Sequence, residues 1–116
     1  MHAAIDIGTN SFHLVVARAL DGGGFDVVTT EKEMVRLGSG GGDMKRLAPD
    51  AVERAVGALA RMIDVAASYG ADVTAVATSA VREAENRDEL VVRVQRELGL
   101  RIEVISGLEE ARLIFQ

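Results

Sequence analysis

The strongest constraint on the fold is a change of period. Residues 3–35 alternate as strands do, and from Pro49 onward the apolar residues recur at helical spacing. Ala3 to Ile7 reads as a first strand, Ser11 to Ala19 as a second, and about Phe25 to Val35 as a third, with "DGGG" (Asp21 to Gly24) as the tight connection before the third. Three strands joined by short turns predict an antiparallel meander. The stretch "LGSGGGDMKRLAPD" then loses all periodicity, holds much of the chain's glycine and is expected to be a mobile surface loop.

Pro49 stands where a first helical residue would, and Val52, Ala55, Val56, Leu59, Ile63 and Ala66 form an apolar face that runs until Gly70. "DVTAVAT" (Asp72 to Thr78) is a short β-branched run that fits a buried parallel strand better than a half-exposed one. A second helix is marked by Asn86 with Glu89 at capping-box spacing, by an apolar face of Leu90, Val91, Val94 and Leu98, and by a stop at Gly99. Arg101 to Ile105 reads as a fifth strand, and Ser106 with Glu109 repeats the capping-box spacing to open a last helix. The predicted order is βββαβαβα, an α/β fold with a mixed five-stranded sheet.

Composition narrows what such a fold could do. At 116 residues and 48% apolar content the chain matches one ordinary domain with a real core. It has no cysteine, so disulfides and thiolate metal sites are excluded, and its start has neither a basic region nor a long apolar one, which makes the cytoplasm the default expectation. No apolar run approaches the roughly 20 residues of a membrane-spanning helix. A net charge of -5 disfavours nonspecific binding to nucleic acid or anionic lipid, and 3% aromatic content without Trp argues against base-stacking platforms. The segment "SGLEEARLIFQ" is still apolar where the sequence stops and no Gly, Asn or Pro closes it. One reading is a fraying terminal helix; the preferred one is a single lobe of something longer, so that any site shared between lobes is half present.

The glycine-rich "GSGGGDMKR" fails both nucleotide-loop patterns. Lys45 lies between Met44 and Arg46 rather than in Gly-Lys-Ser/Thr, and Asp43 occupies the third glycine position of a dinucleotide motif counted from Gly38. A flexible loop is the preferred reading, with Lys45 or Arg46 reaching an anionic ligand as the alternative. "AIDIGTNS" carries more chemistry. In a strand, Asp6 points away from the face of Ile5 and Ile7, and a carboxylate among apolar neighbours is costly unless it is paired, bound to a metal or turned to a cleft. Gly8 permits a turn conformation that other residues resist, while Thr9, Asn10 and Ser11 add short donors to the backbone N–H groups, the combination that cradles phosphate oxygens. An ordinary hairpin turn would use the same residues.

Two further segments point to the same edge of the sheet. Thr78 and Ser79 end the fourth strand at the carboxyl side, where ligands bind in open α/β sheets, and Arg82 follows in the loop before Asn86. A guanidinium there could clamp phosphate with a forked pair of bonds; alternatively it is a surface ion-pair partner. After the fifth strand, Glu109 is explained as a capping-box partner, whereas Glu110 borders the apolar face in the first helical turn. Near a phosphate, with a water between, Glu110 can act as general base; otherwise it only stabilises the helix start. His13 reads as a strand surface residue.

"AIDIGTNS", "EKEMVRLG", "ATSAVREAEN" and "VISGLEEARLIF", in this order, resemble the amino-terminal domain of the exopolyphosphatase / guanosine pentaphosphate phosphohydrolase (Ppx/GppA) family over the whole chain. "DIGTNS" alone is similar to the first phosphate loop of the wider actin, sugar kinase and Hsp70 fold; the combination is far more specific. The resemblance implies a ribonuclease H-like lobe, Mg²⁺, and hydrolysis of the terminal phosphoanhydride of polyphosphate or of the 5'-phosphate of guanosine pentaphosphate. It assigns phosphate oxygens to Gly8, Thr9, Asn10 and Ser11, a metal held through water to Asp6, the attacked phosphate to Arg82, and the attacking water to Glu110. A second phosphate loop, Asp-Ile-Gly-Gly-Gly-Ser in the family, is missing from the chain, so the lobe alone is expected to be feeble in catalysis; homodimerisation of the full-length protein is left open. The other function classes are an ATP-binding lobe of a sugar or acetate kinase, against which "ISGLEEARL" argues, and a module that binds polyphosphate or an alarmone without turnover.

Overall fold

The protein is described by a computed structural model covering residues 1–37, 46–78, 81 and 84–105. Five strands, β1 (His2–Ile7), β2 (Ser11–Ala19), β3 (Phe25–Met34), β4 (Asp72–Ala77) and β5 (Ile102–Val104), form one mixed sheet in the order β3-β2-β1-β4-β5. β1 runs antiparallel to β2 and parallel to β4, and β4 runs parallel to β5. Two helices, α1 (Pro49–Ser68) and α2 (Arg87–Leu98), complete the described elements.

Alternation decides which side of the sheet is covered. Ala3, Ile5 and Ile7 of β1 are buried and lie opposite Val16, Leu14 and Phe12 of β2, which are buried too. Ala75 and Ala77 of β4 extend the same apolar face, and both helices pack on it. The other face carries His2, Ala4 and Asp6 of β1 with His13 and Val15 of β2, all exposed. This explains a departure from expectation at β4. The strand is parallel, but Asp72 and Thr74 are exposed and only Ala75 and Ala77 are buried, because no described element covers the second face.

α1 begins with Pro49 at its first position, where the missing N–H costs nothing. Its buried stripe is Ala51, Val52, Ala55, Ala58, Leu59, Met62 and Ala66, so Val56 and Ile63, counted in the expected face, flank it and are only partly buried. Arg61 ties the helix to β3 through a forked pair with Glu33 (Nη2–Oε1 2.7 Å, Nε–Oε1 3.0 Å). α2 packs beside α1 through Leu90 and Val94 and ends at Gly99, whose φ of 68° closes the last turn with a bond to the Gln95 carbonyl. Arg93 joins the two helices by bonding Glu53 of α1 and Glu97 of α2. Its bond holds the Glu53 carboxyl below the usual range, and the two carboxylates hold the guanidinium still more firmly protonated.

The long connection before α1 corrects another expectation. Its described ends are not surface loop: Leu37 and Leu47 are both in the core. Residues 38–45, including Lys45, lie outside the described residues, as do Ser79, Arg82 and the expected helix from Ser106 with Glu109 and Glu110. Arg46 faces Glu89 at 3.7 Å in an exposed ion pair.

Candidate functional site

β1, β4 and β5 end in step. The Thr78 N–H donates to the Ile7 carbonyl (3.3 Å) and the Ile105 N–H to the Ala77 carbonyl (3.0 Å), so the ladder continues one residue past each strand. The carboxyl ends of the parallel strands therefore share an edge with the turn that leaves β1. Gly8, Thr9, Asn10 and Ser11 form that turn, Asp6 stands just before it on the exposed face, and the buried Thr78 lies beside Ile7. The structure thus brings together Asp6, the turn and Thr78; the three residues Ser79, Arg82 and Glu110 follow Thr78 and Ile105 in sequence, outside the described residues.

Gly8 is required for the shape of the turn. Its N–H donates to the Ser11 carbonyl at 3.2 Å, and a Cβ at this position would meet that same oxygen at 2.8 Å. No side chain on Gly8 can fit without moving backbone. The turn is also braced from behind. The Asn10 carbonyl accepts two successive N–H groups, Val35 at 2.9 Å and Arg36 at 2.8 Å. The carbonyls of those two residues in turn accept from one guanidinium, Arg54 Nε to Val35 (2.9 Å) and Nη2 to Arg36 (3.0 Å), while Arg54 Nη1 bonds Asp50 (2.9 Å). Arg36 adopts a φ of 57°, a left-handed conformation that costs an L-residue roughly 1–2 kcal/mol. The paired bonds on both sides of its peptide hold it there.

Asn86 plays a different part from the one its spacing suggests. It precedes α2, but its side chain makes no cap bond; the Glu89 N–H bonds the Asn86 carbonyl instead. The carboxamide is buried and pairs with the main chain of Leu47, accepting from its N–H (2.8 Å) and donating to its C=O (3.0 Å), with a further bond to Glu89 Oε2 (3.2 Å). An amide side chain mimics a strand neighbour here, because Leu47 belongs to no sheet and its buried polar groups need partners. The clamp joins the segment that follows Arg82 to the segment that follows Lys45. Nothing at the sequence level separates such an Asn from a helix cap.

His13 is exposed, as expected, but engaged: its Nε2 lies 3.0 Å from Ser11 Oγ. It pairs with Asp6 across the β1–β2 ladder. Neither its partner nor its place beside the turn is visible in strand spacing alone, although two-residue separation on a strand does set Ser11 and His13 on one face. Among the described residues, no three His, Asp or Glu side chains converge to cage a metal. A separate groove between β3 and α1, lined by Glu31, Glu33, Arg61, Met62 and Val65, opens on the side of the sheet opposite Asp6.

This strand order and the turn at the end of β1 define an α/β lobe of the ribonuclease H-like, actin-type ATPase class. The family model of the Ppx/GppA phosphatases matches residues 15–116, and the chain belongs to the Ppx/GppA phosphatase family. It is 35% identical over 112 residues to exopolyphosphatase 1 of Mycobacterium leprae, covering 96% of this chain and 33% of that protein. The crystal structure of an exopolyphosphatase from Cytophaga hutchinsonii superposes with a TM-score of 0.91 at 34% identity, covering 97% of this chain and 36% of that one. The Aquifex aeolicus member of the family gives 0.88 at 34% identity, over 95% of this chain and 36% of that one. The chain thus spans about a third of the length of the relatives it matches.

Proposed function

We propose that this lobe holds the terminal phosphates of inorganic polyphosphate and, together with the remainder of a two-lobe protein, hydrolyses the terminal phosphoanhydride bond. The observation that carries the reading is the braced turn Gly8–Ser11 at the carboxyl edge of the parallel strands, next to Thr78 and with Asp6 on the open face beside it. Backbone N–H groups and short hydroxyls there meet phosphate oxygens. A fixed donor set also stabilises the charge that builds up as the bond breaks.

In this reading Glu110 takes a proton from the water that attacks the terminal phosphorus. The bond from that phosphorus to the bridging oxygen breaks, and the chain leaves one phosphate shorter. Arg82, Thr78, Ser79 and the turn hold the equatorial oxygens. Mg²⁺ supplies charge neutralisation on the phosphates when bound. Asp6 fits that ion as a single exposed carboxylate, since Mg²⁺ keeps several waters and takes one or two carboxylates plus substrate oxygens rather than a protein cage. The exopolyphosphatase names of the relatives support polyphosphate over guanosine pentaphosphate as substrate. Among the described residues no helix is long and apolar enough to cross a membrane.

The test compares full-length wild type with Glu110→Gln on polyphosphate and on guanosine pentaphosphate. Lost turnover with retained polyphosphate binding supports the assignment, and equal turnover overturns the role of Glu110. Turnover of guanosine pentaphosphate alone would move the substrate to the alarmone. A phosphorylated product that depends on ATP would place the lobe with the kinases.

A further inference from the structure

The contact between Ser11 Oγ and His13 Nε2 has no use in the scheme above, and little of the fold depends on it. Both groups lie on the uncovered face of the sheet, His13 is exposed, and the hydrogen bond joins residues two apart on one strand. Yet Ser11 belongs to the turn. A serine hydroxyl has a single hydrogen and rotates to suit its neighbours. If the ring accepts from Ser11, that hydrogen is spent on the imidazole. If the ring donates from Nε2, the oxygen is held in place while its hydrogen stays available for another acceptor.

The surroundings of His13 are defined on both sides. Asp6 lies opposite it on β1 and Lys32 opposite it on β3, so the imidazole sits in a row of three polar side chains across the open face. We propose that His13 is a positioning residue for the phosphate turn: it donates from Nε2 to Ser11 Oγ and so keeps the Ser11 hydroxyl hydrogen directed to a phosphate oxygen. The proposal rests on the reading that Gly8–Ser11 receives phosphate. His13 itself touches no substrate in this scheme; it acts through Ser11.

A double-mutant cycle in the full-length protein tests it, with kcat and KM for polyphosphate as readouts and the thermal midpoint as a control. His13→Leu should lower kcat/KM roughly three- to tenfold, the size of one net hydrogen bond, and leave the thermal midpoint within about a degree or two. His13→Gln, whose amide can donate to the same oxygen, should keep most of the activity. In a Ser11→Ala background, His13→Leu should have no further effect. An equal loss in both backgrounds shows that His13 acts without Ser11 and overturns the proposal. So does full activity of His13→Leu where Ser11→Ala is impaired, or a glutamine variant as weak as the leucine one. Wild-type kinetics in Ser11→Ala itself would instead refute the phosphate role of the turn, and this proposal would fall with it.

Discussion

Replacing Asn86 by alanine should be among the most damaging single changes outside the apolar core. The side chain is buried and bonds both main-chain groups of Leu47, at 2.8 and 3.0 Å. Truncation leaves a donor and an acceptor of Leu47 without partners inside the protein. Each orphaned group costs about 1–3 kcal/mol, so the sum is about 2–6 kcal/mol when little water enters. That is a large share of the roughly 5–15 kcal/mol by which a domain of this size is stable. Urea denaturation of the lobe, followed by circular dichroism, measures the change as a fall in midpoint at constant slope. Asn86→Asp adds a control. It keeps an acceptor for the Leu47 N–H but sets a carboxylate against the Leu47 carbonyl and Glu89, so it should be weak at neutral pH. It should recover as the pH falls, because the protonated acid can again donate to the carbonyl. A loss below about 0.5 kcal/mol for Asn86→Ala would show that water replaces the carboxamide, and the clamp would carry no energetic weight.

Gly8→Ala places a Cβ 2.8 Å from the Ser11 carbonyl oxygen, so the turn must shift; kcat/KM of the full-length protein should fall at least tenfold while the lobe loses only about 1–3 kcal/mol. A silent Gly8→Ala would mean that the turn tolerates rearrangement and is no fixed phosphate cradle. Arg54→Met removes the fork from the Val35 and Arg36 carbonyls and should cost about 1–3 kcal/mol in denaturation, with Arg54→Lys recovering less than half, because one ammonium cannot reproduce the planar fork. Glu53 provides the acid limb. Its carboxyl is held below the ordinary value by the bond to Arg93, so its stabilisation is present above the unfolded value and is lost as pH falls through the folded one. Glu53→Gln should therefore be less stable than wild type at pH 7 and equal to it in strong acid, and the difference at pH 7 should shrink in high salt.

Much of the frame was legible because it rests on period. The limits of β2 and the start of α1 at Pro49 match the pattern, since alternation and a proline at the first helical position leave few other solutions. The centre of the α1 face was less legible. Alanine is weakly informative in a periodicity, so Ala51 and Ala58 passed unnoticed although both are buried, and Val56 and Ile63 drew the face toward themselves. At the site, the residue types of "GTNS" pointed to a donor-rich turn, and the hydrogen bonds bear out the tight backbone. What holds that turn was not legible. Val35, Arg36 and Arg54 act through main-chain carbonyls and amides, which every sequence contains, and a guanidinium bound to carbonyls looks in sequence like any helical Arg in an i,i+4 pair with Asp50.

That distinction bears on the phosphate role proposed for the turn. Donors for a transferring phosphate help only if they need not rearrange as charge develops, so rigidity behind the turn matters as much as the donors within it. Here the rigidity comes in layers. The ladder from Ile7 to Thr78 fixes where β1 ends, the N–H groups of Val35 and Arg36 fix the Asn10 carbonyl, and Arg54 holds the carbonyls of the same two residues from α1. The first two adjoin the turn itself and Arg54 is one hydrogen bond further out, and each is anchored on an element buried for ordinary apolar reasons, α1 through Leu59 and Met62 and β1 through Ile5 and Ile7. Catalytic sensitivity should accordingly decline with the number of bonds between a residue and the turn, while the cost to stability need not. Gly8 should lose more in kcat/KM than Arg54 even where the two cost the fold the same, and a reversed order would mean that the turn is held by something other than this chain of bonds.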